Sequence, residues 1–321
     1  MNMDPMPSGP AKKLGFHSPY VQLNIAILLF GLAAFLTSEV NADASIIALS
    51  RYGISFAVLL IYLVIKRQGL RLKTPKEYGV IATTGILLAI HGYSFIESIR
   101  LSGVAAAVIL FFAIMPISAA AIKASIDRQL PNNKDILTLI LLVLGVLISD
   151  SFGILFFEGG LIGLFWGVLS GATYALRVVI VKKYFDSGKI VNPSSDEVRV
   201  FFEHGIAAIA IFIVIGLPFT NLAFDVSLGF TINDALLLLL LGLGSTAIAN
   251  VLLFKSMRNP YIDENTVSAY SGLELIYSIL ITAIVTRELP LDTQVFGASL
   301  IILAILVKYG LFDERYKRPV L

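Results

Sequence analysis

Residues 266–290 read TVSAYSGLELIYSILITAIVTRELP, an apolar or weakly polar run broken by one charge, Glu274, and closed by Thr-Arg-Glu-Leu-Pro (286–290). Residues 102–131 share that layout: a small-residue apolar run, then Asp-Arg-Gln-Leu-Pro (127–131). The two ends align at an offset of 159, which sets Arg128 on Arg287 and Pro131 on Pro290. Upstream, Ser98-Ile99-Arg100 matches Ser256-Met257-Arg258 at 158, and Tyr52-Gly53-Ile54 matches His204-Gly205-Ile206 at 152. Phe30-Gly31 matches Trp166-Gly167 at 136. Four short matches in one order read as a unit of roughly 150 residues used twice, with longer loops in the second copy.

The chain has 321 residues, of which 57% are hydrophobic and 14% charged. A soluble domain carries about 25% charged residues, so this chain lacks the polar surface to cover its apolar bulk, and its solvent is lipid. The net charge of +2, with no basic block, excludes a nucleic-acid partner. Zero cysteines exclude disulfides, iron–sulfur clusters and thiol catalysis. Three histidines (17, 91 and 204) are too few for a histidine metal cage. No G-x-x-x-x-G-K-[ST] loop occurs, so ATP is not bound by that route, and the sequence calls for no cofactor.

A helix needs about 20 apolar residues to cross a bilayer. The apolar spans fall at 21–37, 46–65, 78–98, 102–123, 135–149, 160–181, 198–217, 233–254, 265–286 and 293–311, five per half. Residues 1–19, with Lys12, Lys13 and several prolines and glycines, read as a disordered cytoplasmic tail. The first repeat covers 20–150, the second 151–311, and 312–321 is a C-terminal tail. Ala42-Asp43-Ala44 resembles a signal-peptide cleavage site. The span before it, however, is longer than a usual signal core and has a counterpart near Trp166. Ser194-Ser195-Asp196-Glu197 offers a capping box for the seventh helix.

With the N-terminus inside, twenty lysines and arginines fall in cytoplasmic segments and two, Arg100 and Arg287, outside; Arg51 and Arg177 lie within spans. Basic residues favour the cytoplasmic side, so both termini are cytoplasmic. Five spans per half is an odd number, so the second copy enters the membrane upside down, as in many secondary transporters. The expected architecture is an all-α membrane protein with ten transmembrane helices as two inverted five-helix repeats. It is expected to be multi-pass in the plasma membrane, the inner membrane of a bacterium, as a monomer or a homodimer.

With this topology the chain resembles the drug/metabolite transporter superfamily in its ten-helix form with two EamA-type repeats. The likeness rests on the small-residue fourth span ending in Met115-Pro116-Ile117, the short hairpins around 99–102 and 258–262, and the repeat end Arg287-Glu288. It covers about residues 20 to 311. Leu275 stands where the family often has a proline, and Gln129 where an acid is common. The resemblance implies export or exchange of small metabolites through a central cavity between the halves.

Charges among lipid tails face a cavity or a partner. Glu274 lies eight residues past Thr266, about 12 Å deep at 1.5 Å per residue. It is placed to bind a cationic amine, carry a coupling proton or form a buried pair. His91 lies in the third span, and Asn250 sits beside the position it maps to at offset 158. With Glu274, these two and Tyr174, Tyr270, Trp166 and Phe111 are the candidate substrate-binding residues. The alternative for each aromatic is ordinary packing. Gly159, Gly163, Gly167 and Gly171 give the sixth helix a close-contact face.

Glu39 and Arg51 near the outer ends of the first two helices, and Arg177, Glu203 and His204 near the inner ends of the sixth and seventh, are candidate gates at two mouths. Snorkelling to the interface is the plainer reading of the same charges. His91-Gly92-Tyr93-Ser94 contains the G-x-S of intramembrane serine proteases. A membrane enzyme requires a nucleophile and base in hydrogen-bond contact. A transporter of a small molecule requires a midplane cavity lined from both halves, and the sequence favours it over a membrane-embedded enzyme or scaffold.

The charge count generates a direct test. A green fluorescent protein fused after Leu321 should fluoresce, and an alkaline phosphatase fused there should be inactive. An active phosphatase would overturn the orientation and the inverted repeat together.

Overall fold

A computed structural model describes residues 18–128, 132–149, 160–187, 194–216, 230–287 and 291–308. The two expected tails lie almost wholly outside these residues. Among the described residues there are ten α-helices, one π-helical segment and no strand. They are α1 (Pro19–Glu39), α2 (Ala44–Ile65), α3 (Pro75–Asp127), α4 (Asn133–Ser149) and α5 (Gly160–Asp186). α6 (Asp196–Gly216) and α7 (Ile232–Gly242) follow, then the π segment (Leu243–Ile248), α8 (Ala249–Met257), α9 (Glu264–Thr286) and α10 (Asp292–Lys308).

Among the described residues, six stretches are long and apolar enough to cross a membrane: Pro19–Glu39, Ala44–Ile65, Pro75–Ser102, Leu161–Asp186, Ile232–Met257 and Glu264–Val285. Leu110–Ile126 and Val295–Val307 are apolar but shorter. Large apolar side chains such as Leu161, Ile232 and Ile284 stand fully outward, as expected where the surroundings are lipid. A membrane protein of long apolar helices fits these features.

The 53 residues of α3 would span about 80 Å if straight. They do not. His91 and Phe111, about 30 Å apart along a straight helix at 1.5 Å per residue, have ring centroids 5.3 Å apart. α3 therefore folds back on itself between its two apolar arms, in the small-residue stretch 102–107, without leaving helical conformation. The arms clasp α5. Gly163 meets Leu101 and Ser102, Gly167 meets Ser98 and Leu110, and Gly171 meets Phe111 and Ile114. The glycine face of α5 thus lets two helical arms approach at once; Gly159 lies outside the described residues.

Polar connections gather at two opposite ends. At one, Ser194 Oγ donates to Glu77 at 2.9 Å, Lys182 Nζ reaches the carbonyls of Met257 and Asn259, and Lys123 pairs with Asp263 and Glu264. Arg199, fully buried between the Tyr184 and Phe185 rings, binds Glu77 at 2.8 Å and Asp196 at 3.0 Å. Arg258 reaches Asp196 at 2.6 Å. The opposite end is less charged: the Asn41 N–H donates to Asp234, and a half-exposed Arg100 pairs with Asp43. Ser194 is thus engaged by Glu77, and Ser195, not Ser194, accepts from the α6 backbone, from the Val198 N–H at 3.4 Å. The expected capping box does not form: Ser195 caps the helix alone, since Val198 has no side-chain acceptor to complete the box.

Several contacts come in reciprocal pairs. A Cβ added to Gly85 would meet the Glu203 carbonyl and Ile206 Cβ at 2.9 Å. One added to Gly242 would meet Arg51 O at 3.3 Å and Ile54 Cβ at 2.6 Å. Glu203 and Ile206 are Arg51 and Ile54 shifted by 152; Gly242 is Gly85 shifted by 157, the same shift that carries Glu77 to Asp234. The helix ends also answer each other: Arg128 and Arg287 each cap a helix in the left-handed region, at φ 53° and 59°.

Gly85→Ala and Gly242→Ala should each overpack these crossings and lower stability by about 1–3 kcal/mol. Gly53→Ala, with nothing within 4 Å of its Cβ, should be neutral or stabilising. Thermal unfolding of the purified variants in detergent checks the contrast.

Candidate functional site

The buried polar groups converge where α1, α2, α3, α5, α6, the π segment, α8 and α9 meet. Helical spacing brings them there. α2 presents Arg51, Tyr52 and Ser55; α5 presents Ser170, Tyr174 and Arg177; α3 presents Leu88, His91 and Phe95. Residues three, four and seven apart share a face. Phe30, Ala33, Arg51, Tyr52, Leu88, His91, Phe95, Phe111, Tyr174, Asn250 and Glu274 line a single cavity. Its walls come from both halves of the sequence. The void takes only a few water molecules, so a larger solute requires these walls to separate.

One hydrogen-bonded chain crosses the site. Arg177 grips Glu203 with two bonds, Nε to Oε1 at 2.9 Å and Nη2 to Oε2 at 2.7 Å. The same Nη2 donates to Asn250 Oδ1 at 2.8 Å, and Asn250 Nδ2 donates to the Thr246 carbonyl at 2.9 Å. Arg51 Nε donates to Thr246 Oγ1 at 2.9 Å. Thr246 Oγ1 donates in turn to the Leu241 carbonyl five residues back, a reach suited to the π-helical turn. The Tyr174 and Phe254 rings flank the Arg177 guanidinium at 5.6 and 5.5 Å. A planar guanidinium between ring faces suits a buried fork-to-carboxylate contact.

The charges balance unevenly across the cavity. Glu203 neutralises Arg177. Among the described residues, Arg51 has no carboxylate within salt-bridge distance, and its hydrogen bond goes to a neutral hydroxyl. Glu274, which lines the same cavity, has neither a hydrogen bond nor an ion pair among the described residues. A buried charge without its counter-charge is costly, and here one of each sign faces the same void.

His91 sits in an aromatic nest of Phe95, Phe111 and Tyr174, with ring centroids 4.7 to 6.1 Å away. Its Nδ1 lies 3.0 Å from Ser170 Oγ. His204 Nδ1 lies 2.5 Å from Ser55 Oγ, under the Tyr52 ring.

Of the residues expected around a substrate, Glu274, His91, Asn250, Tyr174 and Phe111 do line the cavity. Trp166 does not: it packs edge-on to Tyr93 at 5.6 Å, on another face of the bundle. Tyr270 also lies off the cavity, beside Tyr20. The expected division into two mouths is corrected. Arg51, Arg177, Glu203 and His204 are all at most 6% exposed and join one central cluster. The reason is depth: Arg51 and Glu203 each lie seven residues into helices that start at opposite ends, about 11 Å in from either side. Glu39 is exposed at the end of α1, with no Arg51 contact. Sequence reading missed Thr246 and the π turn, whose only signal is the small cluster Gly242-Leu243-Gly244-Ser245-Thr246 in an apolar helix.

Removing one partner of the buried pair should cost about 3–5 kcal/mol, because the other charge is stranded. Glu203→Ala should therefore lower the unfolding temperature sharply. The double replacement Arg177→Met with Glu203→Leu should recover most of that loss, as read by thermal unfolding.

A solved structure described only as "Crystal structure of protein" is similar to this chain, with a TM-score of 0.69 and 17% identity, over 92% of this chain and 98% of that chain. At that identity the likeness is one of fold. No family model matches the chain. No curated protein matches it.

Proposed function

We propose that the chain is an integral membrane carrier that moves a small zwitterionic solute, amino-acid-like in its charges, by alternating access through the central cavity. The observation that carries this reading is the cavity itself: both sequence halves line it, and so do an arginine and a glutamate that form no ion pair among the described residues. Arg51 suits a carboxylate, which a guanidinium binds through two N–H groups. Glu274 suits an ammonium group. The aromatic walls of Phe30, Phe95, Phe111 and Tyr174 suit an apolar side chain between them.

The wider reading is a ten-span protein of two inverted five-helix repeats with both termini cytoplasmic, of the drug/metabolite transporter type. Taking the two arms of α3 separately and Ile232–Met257 as one run gives ten helical segments, which supports the ten-span reading. The reciprocal glycine contacts and the paired carboxylates Glu77 and Asp234 support an internal two-fold relation. The end that gathers Lys123, Lys182, Arg199 and Arg258 is the cytoplasmic one on the positive-inside rule. Inverted repeats supply two related conformations, each open to one side.

A membrane enzyme is the second reading, and two histidine–serine contacts give it substance. Ser170 and Ser55 are both fully buried, however, and neither histidine has a carboxylate to orient it among the described residues. Ser94 of the G-x-S triplet has no hydrogen-bond partner there. A nucleophile needs both a base with an orienting group and access for substrate, so the carrier is preferred.

Proteoliposomes loaded with radiolabelled amino acids, polyamines or dicarboxylates provide the test. The zwitterions should exchange faster than in protein-free vesicles, and the purely cationic or anionic solutes should not. Arg51→Gln and Glu274→Gln should each cut exchange by roughly tenfold or more, as expected from losing a charged hydrogen bond worth about 1.5–3 kcal/mol. No exchange of any class by the wild type, or wild-type exchange in both variants, would sink the proposal.

A further inference from the structure

We infer that the loop joining α2 to α3 binds the headgroup of an anionic phospholipid, whose chains lie against the last turns of α2. Residues 66–76 read KRQGLRLKTPK, five basic side chains in eleven residues. Lys66, Arg67, Arg71, Lys73 and Lys76 are all exposed, and none forms an ion pair among the described residues. The neighbouring acid does not offset them: Glu77 is wholly buried and bound to Arg199 at 2.8 Å. By contrast, Lys123, Lys182, Arg199, Lys255 and Arg258 at the same end each pair with a carboxylate. Five uncompensated charges therefore stand together in one short loop.

The loop is a fixed platform. Leu72 is buried in the core, Ser195 Oγ donates to Gln68 at 3.2 Å, and the Lys73 N–H donates to Glu77 at 3.0 Å. Two backbone bonds close the end of α2: the Gln68 N–H donates to the Leu63 carbonyl and the Arg67 N–H to that of Val64, both at 3.0 Å. In a helix end of this kind the left-handed residue is ordinarily glycine. Here it is Arg67, at φ 51°. A side chain at that φ is strained, so the arginine serves contacts outside the helix and not the backbone turn.

The apolar side selects a lipid over a free anion. Ile61, Val64 and Ile65 are 60%, 60% and 73% exposed. At spacings of three and four they share one face of α2. That face runs straight into Lys66 and Arg67, which matches a molecule with apolar chains and a charged head. Tyr62, its ring 6.0 Å from Lys66 Nζ, adds the aromatic group that favours a membrane surface. Basic clusters next to a membrane-spanning helix attract anionic headgroups, and guanidinium and ammonium donors bind a phosphodiester through charge-assisted bonds. A choline headgroup brings its own cation, which the five basic groups repel. The inference rests on the membrane placement of the helices and not on the carrier reading.

The test is native mass spectrometry of the full-length protein, released from detergent after equilibration with equimolar phosphatidylglycerol and phosphatidylcholine of the same chains. Phosphatidylglycerol adducts should exceed phosphatidylcholine adducts by roughly fivefold or more, the effect of even one basic residue near an anionic headgroup. Changing Lys66, Arg67, Arg71, Lys73 and Lys76 together to glutamine should bring that ratio down to about one. The same variant should unfold in lipid-free detergent close to the wild-type temperature, because exposed side chains without ion pairs contribute little to stability. A second arm needs no variant: salt at about 1 M, where the Debye length is about 3 Å, should abolish the preference of the wild type. Excess glycerol 1-phosphate, which has the charge without the chains, should leave the bound lipid in place. Equal retention of the two lipids by the wild type, or a preference undiminished in the variant or in high salt, would overturn the inference. Displacement of the lipid by glycerol 1-phosphate would do so too, and would make the loop a site for free phosphate esters.

Discussion

A charge removed from water must find its counter-charge inside the protein, and the Arg177–Glu203 pair is where this chain meets that demand most fully. Both side chains are essentially unexposed, joined by two short bonds, with aromatic faces on either side of the guanidinium. The pair fastens α5 to α6, and through Asn250 it reaches α8. Thr246 then links this chain to Arg51 on α2. Four helices from both halves are thereby held in register around one polar thread. Lipid-facing surfaces cannot supply such register, because apolar side chains against lipid tails have no preferred partner. The directional bonds at the centre decide which faces turn inward.

The same thread sets the charge that the cavity presents. Glu203 answers Arg177, so this pair presents no net charge to the void. Arg51 and Glu274 remain to define its field. The two ends of the bundle differ in kind. One is closed by a buried ionic network around Arg199, Glu77 and Asp196, the other by the Asn41 N–H donating to the Asp234 carboxylate and by an exposed ion pair. Exposed pairs contribute about 0 to 1 kcal/mol, whereas buried ones fail only at greater cost.

Much of the helical layout was legible in the sequence. The apolar spans predict the helices to within a few residues, because runs of about 20 apolar residues have few other uses. The reversal within α3 falls where the expected spans 78–98 and 102–123 part, at the hairpin expected around 99–102; the sequence does not mark that the backbone stays helical through it. The inward faces were hidden. In a helix that is apolar all round, periodicity no longer tells inside from outside. Trp166 and Tyr270 were therefore as plausible a lining as Tyr174 and Phe111, and only Tyr174 and Phe111 face the void. Charges were the better guide. Glu274, Arg51, Arg177 and Glu203 stand out in the sequence, and all four gather at the centre, although position along the chain suggested two separate mouths for three of them.

The π turn at Leu243–Ile248 has a consequence for the way this helix tolerates length changes. A π turn accommodates one more residue than an α turn, and each α-helical residue rotates the chain by about 100°. Without the π turn, that extra residue would swing everything after it by this angle: Asn250 would leave the side of Arg177, and Phe254 would leave the guanidinium face. Loss of a single residue here would instead let the helix relax to a regular α form with its flanking faces close to their present places. The segment therefore acts as a shim, and the alignment of its two flanking helical faces depends on residue count as well as residue type.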